Sequence, residues 1–345
     1  MAYCVQCGEP ISLDQTLCPA CGRAVGESSI GVARERQPSK TALRLLGAMA
    51  ALVAALLGVW VLVIAWRAKP TLDRAQLAAV QKLARPSLVS LVAPSGHAGG
   101  IVITSVGGGL LVATEAGVAP VGSEARLQKD GHTSRGVVLA AGPGRAGGLD
   151  LVFVPSAAGL DTQPAGLAAM PKAGDLVVTF GAGGSAAGSG RVVSVQKGPG
   201  AGTLAFDAPL SADGRGFGLW SREGRLVALC ALDPKSGGNR AVAAQALFAR
   251  TYWQETPLIS GAEWSEVSVP LVANSRTAIA LSGPSASELA ARLGETGAIT
   301  RGQQPWPGLA VLQLDVVKPA PLEISGAAPA GAPATRALVL VLGRI

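Results

Sequence analysis

An apolar run of 21 residues, 45–65 (LLGAMAALVAALLGVWVLVIA), divides the 345-residue chain and contains no charged side chain. A helix of this length rises roughly 32 Å, about the thickness of a bilayer's hydrocarbon core. Because 44 residues precede the run, it does not have the position of a cleaved secretory leader. Trp60 and Trp66 are typical of the aromatic belt at a membrane interface. The sequence therefore predicts a transmembrane helix over residues 45–66.

Four cysteines before this run, Cys4, Cys7, Cys18 and Cys21, follow the pattern C-x2-C…C-x2-C. Each pair presents two sulfur atoms from one tight turn, and four thiolates complete a tetrahedral zinc site with no position left for a catalytic water. So short a module has almost no core, so the metal must supply its folding free energy. The pattern resembles the zinc-ribbon family over residues 3–23, which implies a structural Zn²⁺. Two disulfides or a redox pair is the alternative.

Compartment and partners follow from the cysteines and the charge pattern. Reduced thiols persist in the cytosol, so we expect the N-terminus in the cytoplasm and residues 67–345 in the periplasm or another extracytoplasmic space, with the helix in a bacterial inner membrane. The net charge is +7, but Lys and Arg are scattered along the chain, which disfavours nucleic acid as a partner. The expected partners are the membrane and a protein or peptide.

The region after the apolar run changes its hydrophobic period. Residues 71–84 predict a short stalk helix. From Pro86 onward, short runs rich in Val and Leu are separated by Gly, Pro and Ser, which predicts an all-β barrel or sandwich. The apolar positions that indicate the stalk helix are Leu72, Ala75, Ala79 and Leu83.

The order of these β-rich runs resembles that of HtrA-type serine proteases. Residues 84–104 (ARPSLVSLVAPSGHAGGIVIT) are similar to the opening strands of that family. Residues 148–154 (GLDLVFV) are similar to its aspartate strand, and 207–220 (DAPLSADGRGFGLW) to its nucleophile turn. The resemblance covers about residues 78–250 and implies a mainly β fold with the trypsin-like double β-barrel.

The resemblance also implies where a Ser-His-Asp triad would lie. Asp150 occupies the aspartate position, but Ala116, or Gly117 with a shift of one, occupies the histidine position and Arg215 the serine position. Loss of the nucleophile or the base costs on the order of 10⁶ in turnover. We therefore predict no catalytic residue and vestigial triad positions at Ala116, Asp150 and Arg215. Arg215 either contacts a bound peptide or pairs with a nearby aspartate.

The other candidate side chains are assigned no catalytic role. His97 and His132 fall on neither triad position, and Cys230 lies in an apolar run that predicts a buried, inert thiol. The sequence thus predicts a degenerate, peptide-binding scaffold or sensor. The alternative is an active HtrA-like serine endopeptidase with an atypical site.

The resemblance ends near residue 252, and the remaining residues contain further strand-like runs. We expect a small β-sandwich there, or a degenerate PDZ domain, with a helix at 285–294 begun by a serine N-cap. The predicted domains are a zinc ribbon (1–25), a flexible linker (26–44), a transmembrane helix (45–66), a stalk helix (67–85), a trypsin-like domain (86–250) and a small β-rich domain (251–345).

Overall fold

The structure is a computed structural model, and its described residues form two compact units, 1–68 and 69–345. The described residues are 2–4, 6–12, 15–24, 30–32, 48–49, 51–61, 72–94, 96–106, 109–115, 117, 119–141, 149–157, 159–196, 202–210, 216–232, 239–249, 251–258, 263–283, 286, 288–326 and 335–342.

The N-terminal unit contains a small antiparallel sheet around the cysteines. Its central strand β1 (Ala2–Cys4) pairs with β2 (Pro10–Ile11) on one side and with β3 (Ile30–Val32) on the other. Strand β3 lies within the segment that was predicted to be a flexible linker. Residues 30–32 of that segment are instead paired with β1. The buried cluster of this sheet consists of Cys4, Ile11 and Cys18 alone among the described residues.

The predicted membrane span is described only in part. Residues 48–49 and 51–61 are helical, and the rest of 45–66 lies outside the described residues. Within the described portion of the chain, no helix has both the length and the apolar character needed to cross a bilayer. The transmembrane helix therefore stays a prediction.

The predicted stalk helix is present as α1 (Arg74–Ala84). Asp73 and Gln76 form a capping box at its start, and a 3₁₀ turn that contains Pro86 follows its end. The helix does not stand free, because Val80 and Ala84 are buried and the Leu72 N–H donates to Ser189 Oγ at 2.9 Å. It is packed against the second barrel described below.

Two closed antiparallel barrels of six strands follow α1, as the resemblance implies. In the first barrel the strand order is β4-β5-β6-β9-β8-β7, and in the second it is β10-β11-β12-β15-β14-β13. Barrel one consists of β4 (Leu88–Ala93), β5 (Gly96–Val106), β6 (Gly109–Glu115), β7 (Glu124–Lys129), β8 (His132–Ala141) and β9 (Leu149–Val154). Barrel two consists of β10 (Leu176–Phe180), β11 (Ala186–Val195), β12 (Thr203–Phe206), β13 (Leu219–Trp220), β14 (Leu226–Leu232) and β15 (Asn239–Ala243).

The C-terminal region contains two antiparallel sheets after a short helix α2 (Ala244–Phe248). A five-stranded sheet has the order β16-β24-β18-β22-β21, and a four-stranded sheet has the order β17-β23-β19-β20. The strands are β16 (Thr251–Pro257), β17 (Ser265–Val267), β18 (Ser275–Ser282), β19 (Ala290–Leu293), β20 (Thr300–Arg301), β21 (Gln303–Trp306), β22 (Leu309–Val316), β23 (Leu322–Ser325) and β24 (Arg336–Leu342).

The helix predicted at residues 285–294 is wrong, because Ala290–Leu293 form strand β19. Its backbone pairs with β23, and Arg292 forms an ion pair with Glu323 on that strand. Alanine, leucine and arginine favour a helix by only tenths of a kcal/mol per residue. Pairing along a whole strand outweighs that preference.

The five-stranded sheet is buried on both faces. In β24, Leu338 and Leu340 belong to a cluster shared with both barrels, whereas Ala337 and Val339 belong to a cluster shared with the four-stranded sheet. The two sheets thus form a small β-sandwich packed against the barrels. The hydrophobic clusters of residues 69–345 draw on no described residue before Leu72, and its strands pair only with one another. This unit, the outer region, therefore has the packing needed to fold by itself.

Candidate functional site

The two cysteine pairs lie on turns that are built alike. The Gly8 N–H donates to the Cys4 carbonyl at 2.8 Å, and the Gly22 N–H donates to the Cys18 carbonyl at 2.9 Å. Both glycines have a positive φ, 77° and 68°, a conformation that costs glycine little. Each C-x2-C-G stretch therefore closes a turn that points both of its sulfur atoms the same way.

The four sulfur atoms of these turns converge. The Cys4 and Cys21 Sγ atoms are 3.8 Å apart, those of Cys7 and Cys18 are 3.7 Å apart, and all four lie within 4.8 Å of one another. A disulfide bond is about 2.05 Å long, so the four cysteines are free thiols. Cys4, Cys7, Cys18 and Cys21 are together as predicted and can hold a metal ion.

The local backbone favours the charged form of one of these thiols. Hydrogen bonding from the backbone N–H groups of Cys7 and Gln6 lowers the pKa of Cys4 to about 6. A thiolate, rather than a thiol, is the form of cysteine that binds metals. Desolvation and the neighbouring thiols raise the pKa of Cys7, in the same turn, to about 12, so the backbone favours the thiolate at Cys4 and not at Cys7.

The barrel site is described at one of its three predicted triad positions. Asp150 lies on β9 and is completely buried. Ala116 and Arg215 lie outside the described residues, although Glu115 and Gly117 border the first of them and Gly216 follows the second. The vestigial triad therefore stays a prediction at these two positions.

Two described residues near the predicted triad positions approach one carbonyl group, that of Gly99 on β5. The Thr114 hydroxyl donates to this carbonyl at 2.6 Å, and Thr114 lies opposite Asp150 in the β6–β9 ladder. Gly216 has a φ of 86°, and a Cβ on it would overlap the same carbonyl oxygen. The turn after residue 215 is thus packed against barrel one at the level of Thr114 and Asp150.

Sequence reasoning did not identify this meeting point. Gly99, Thr114 and Gly216 lie on three separate segments, and each is an ordinary residue in its own stretch. The repeated glycines of 214–218 were the available signal, because a glycine with positive φ also permits close backbone contact.

Two further predictions concern side chains away from the triad. His97 and His132 are both exposed, at the β4–β5 and β7–β8 hairpins respectively. Cys230 is buried as predicted, and burial raises the pKa of its thiol to about 12. A thiol with so high a pKa is a poor nucleophile.

A cleft of about 420 Å³ lies between β4, the β7–β8 hairpin and Phe217. The charged side chains of the cleft have partners within it. Arg85 Nη2 lies 2.7 Å from Asp130 Oδ1. Lys129 Nζ donates to the backbone carbonyls of Arg85 and Pro86 at 3.0 and 2.7 Å. The hydrogen bond from Arg85 lowers the pKa of Asp130, and burial lowers the pKa of Lys129. These contacts fasten the hairpin to the end of α1. Sequence analysis missed them because the partners are more than forty positions apart.

No protein-family model matches the chain, and no curated protein matches it. Solved structures that are similar to it include an inactive form of the Rv3671c protease from M. tuberculosis H37Rv, with 18% identity and a TM-score of 0.40 over 50% of this chain and 91% of that chain. A serine endoprotease from Yersinia pestis has 17% identity and a TM-score of 0.40 over 49% of this chain and 63% of that one. Deg5 has 14% identity and a TM-score of 0.41 over 52% of this chain and 94% of that one. At these identities and TM-scores the similarity says nothing about activity.

Proposed function

We propose that the chain is a membrane-anchored, non-catalytic protein that binds an extended peptide on a trypsin-like double barrel. One observation carries this proposal. Thr114, which lies opposite Asp150, and Gly216, which follows the predicted serine position, both approach the Gly99 carbonyl. The sequence has Ala116 and Arg215 at the positions where the resemblance requires a base and a nucleophile. A scaffold that keeps its shape without its reactive groups retains the ability to bind.

The backbone of barrel two supports a strand-addition mode of binding. Strand β13 contacts β14 only through Leu219 and Trp220, which pair with Ala228 and Leu226. Beyond Ala228, β14 pairs with β15 on one side, and no described strand pairs with its other side. We place the proposed peptide along this side of β14, where strand N–H and C=O groups would pair with those of an extended peptide. Arg215, which lies four positions before β13 in the sequence, adds a cation suited to a peptide carboxylate.

We infer that the cysteine site holds a structural Zn²⁺. Zinc binds thiolates at about 2.3 Å in a tetrahedron, so its sulfur ligands lie roughly 3.8 Å apart. The Sγ distances of 3.8 Å for Cys4–Cys21 and 3.7 Å for Cys7–Cys18 fit that geometry. Four protein ligands give a closed site, so the metal stabilises the fold and takes no part in a reaction.

The character of helical residues 51–61 supports the anchor. Each of these residues is exposed, and the large apolar side chains from Leu52 to Val61 are 50–62% exposed on all sides of the helix. A helix that is apolar all round requires an apolar environment all round. We infer that residues 45–66 cross a bacterial inner membrane. The thiol ribbon then lies in the reducing cytoplasm and the outer region lies across the membrane.

Peptide binding by the purified outer region tests the proposed function. Fluorescent peptides of random sequence would be titrated against wild type, against Arg215→Glu and against Arg301→Glu, an exposed control on β20. We expect saturable binding of a subset of peptides without cleavage. Arg215→Glu should weaken it, and Arg301→Glu should leave it unchanged.

Two results of that titration would contradict the proposal. Absence of saturable binding to any peptide would exclude the binding role. Cleavage of the bound peptide would exclude the non-catalytic role and favour the endopeptidase alternative.

A further inference from the structure

Helix α1 has two apolar stripes, and the structure buries only one of them. Leu77, Val80 and Ala84 face the hydrophobic cluster shared with the barrels. The second stripe follows the spacing i, i+3, i+4, i+7, i+8 and is exposed along its whole length, with Leu83 57% exposed. Four of its five residues are apolar, and Lys82 lies among them; the residues of the exposed stripe are Ala75, Ala78, Ala79, Lys82 and Leu83.

The stripe that indicated a helix in the sequence is therefore mostly the exposed one. Ala75, Ala79 and Leu83 belong to it, whereas Leu72 packs against the barrels. A surface helix normally presents polar residues to water on the face opposite its buried stripe. The exposed face of α1 departs from this pattern, because it carries three alanines and a leucine.

Cations surround this stripe. Helix α1 contains Arg74 and Lys82 and no acidic residue. A Cβ on Gly224 would overlap the Leu83 side chain, so the turn before β14 lies directly against the end of the stripe. That turn carries Arg222 and Arg225, both exposed or half-exposed. The α1 face is defined here as Ala75, Ala79, Lys82, Leu83, Arg222 and Arg225.

Little negative charge offsets these cations. Glu223 lies 3.6 Å from Arg222, and both side chains are mostly exposed. Among the described residues, neither Lys82 nor Arg225 has a carboxylate within ion-pair distance. The α1 face thus combines small apolar side chains and Leu83 with three cations, and it is net positive.

We propose that the α1 face lies on the anionic headgroups of the lipid bilayer. A surface that mixes apolar side chains with Lys and Arg close to a membrane-spanning segment is typical of segments that bind at the bilayer interface. Anionic lipid attracts each such cation by an amount that corresponds to about a fivefold gain in binding. Two copies of this face would repel each other, which disfavours a dimer through α1.

The length of the connecting chain agrees with this occupant, on the basis of the anchor proposed above. The predicted span ends at residue 66 and the first described residue of the outer region is Leu72. Six residues of extended chain reach at most about 20 Å. Helix α1 is therefore held close to the bilayer surface, where even a modest affinity keeps the face engaged.

Binding of the outer region to lipid vesicles tests this proposal. Wild type, Arg222→Gln/Arg225→Gln and the matched control Arg301→Gln/Lys318→Gln would be co-sedimented with zwitterionic vesicles and with vesicles that also contain phosphatidylglycerol. We expect wild type to bind only the anionic vesicles and to dissociate as salt is added. The Arg222/Arg225 variant should bind roughly 25-fold more weakly, with an unchanged circular dichroism spectrum, and the control should bind like wild type.

Three outcomes would overturn the proposal: no preference for anionic vesicles, equal weakening in the control, or self-association of the outer region through Ala79→Cys crosslinks. Alkaline extraction of membranes that contain the full chain tests the anchor separately. If the full chain resists extraction while the outer region does not bind vesicles, the proposed anchor is supported and the proposed lipid contact of the α1 face is wrong. If the full chain is extracted while the outer region binds vesicles, the anchor is wrong and the face stands.

Discussion

The cysteine turns and the double barrel differ in what holds them together. The cysteine turns have a buried cluster of Cys4, Ile11 and Cys18 only among the described residues, so packing alone gives them little stability and the proposed metal would supply most of it. The barrels have separate apolar interiors and a further shared cluster between them. A fold that is stabilised by hydrophobic packing can persist without catalytic side chains. A fold that is stabilised by a bound metal cannot persist without the side chains that bind the metal.

The largest effect is expected at the cysteine turns. Replacement of Cys18 by serine removes one ligand, so the full chain should lose its zinc and the ribbon should unfold, because the metal supplies about 10–16 kcal/mol in modules of this kind. Elemental analysis and limited proteolysis of the detergent-solubilised protein measure both losses. Cys230→Ala is the control, since Cys230 is a cysteine outside the site. About one equivalent of zinc retained by Cys18→Ser would contradict the ligand assignment.

A smaller effect is expected where the barrels meet. Gly216→Ala places a methyl group on the Gly99 carbonyl and strains a φ of 86°, so we expect a loss of about 4 kcal/mol in the free energy of unfolding. Gly117→Ala has the same φ of 86° with no atom within 4 Å of the new methyl group, and it should lose only about 1–2 kcal/mol. Urea unfolding of the outer region measures both. Equal losses would show that the Gly99 contact does not hold the turn.

The smallest effect is expected from pH. Hydrogen bonds from Arg135 lower the pKa of Glu124 below its ordinary value. The stabilisation from this pair is therefore complete above the unfolded pKa of about 4.3 and is lost as the pH falls through the lower folded pKa. Glu124→Gln should remove this decrease in the free energy of unfolding at acidic pH, which amounts to less than about 1 kcal/mol for a partly exposed pair.

Urea midpoints measured at neutral and acidic pH check this prediction. Glu223→Gln is the control, because Glu223 is mostly exposed and lies 3.6 Å from Arg222. The control should keep the wild-type pH dependence. If both variants show the same pH dependence, the Glu124–Arg135 pair contributes nothing measurable to the free energy of unfolding, and the barrels depend on packing alone in this pH range.

The sequence predicted the features that depend on local spacing. The two C-x2-C pairs, each followed by a glycine, were sufficient to predict the convergence of four sulfur atoms. The even spacing of the β-rich runs predicted an all-β barrel or sandwich, and the resemblance of their motif order to HtrA-type proteases implied the two barrels that are present. The helix before them was found, but its buried side was not, because α1 has two apolar stripes of similar spacing.

Features that depend on distant partners were not predicted. Residues 290–293 have helix-favouring side chains and become a strand because β23 lies beside them. Lys129 donates to the Pro86 carbonyl, just after the end of α1, a contact that forms only when the β7–β8 hairpin packs beside that helix. The meeting of Thr114 and Gly216 at Gly99 likewise requires three segments to fold before any of them shows a role.

The most direct test of the central claim is labelling of the purified outer region with a fluorophosphonate probe, which reacts only with an activated serine. With alanine and arginine at the predicted base and nucleophile positions, the outer region should remain unlabelled. An active trypsin-like protease of the same concentration is the positive control. Labelling of the outer region that disappears when one serine is replaced by alanine would contradict the claim that this double barrel binds without catalysing.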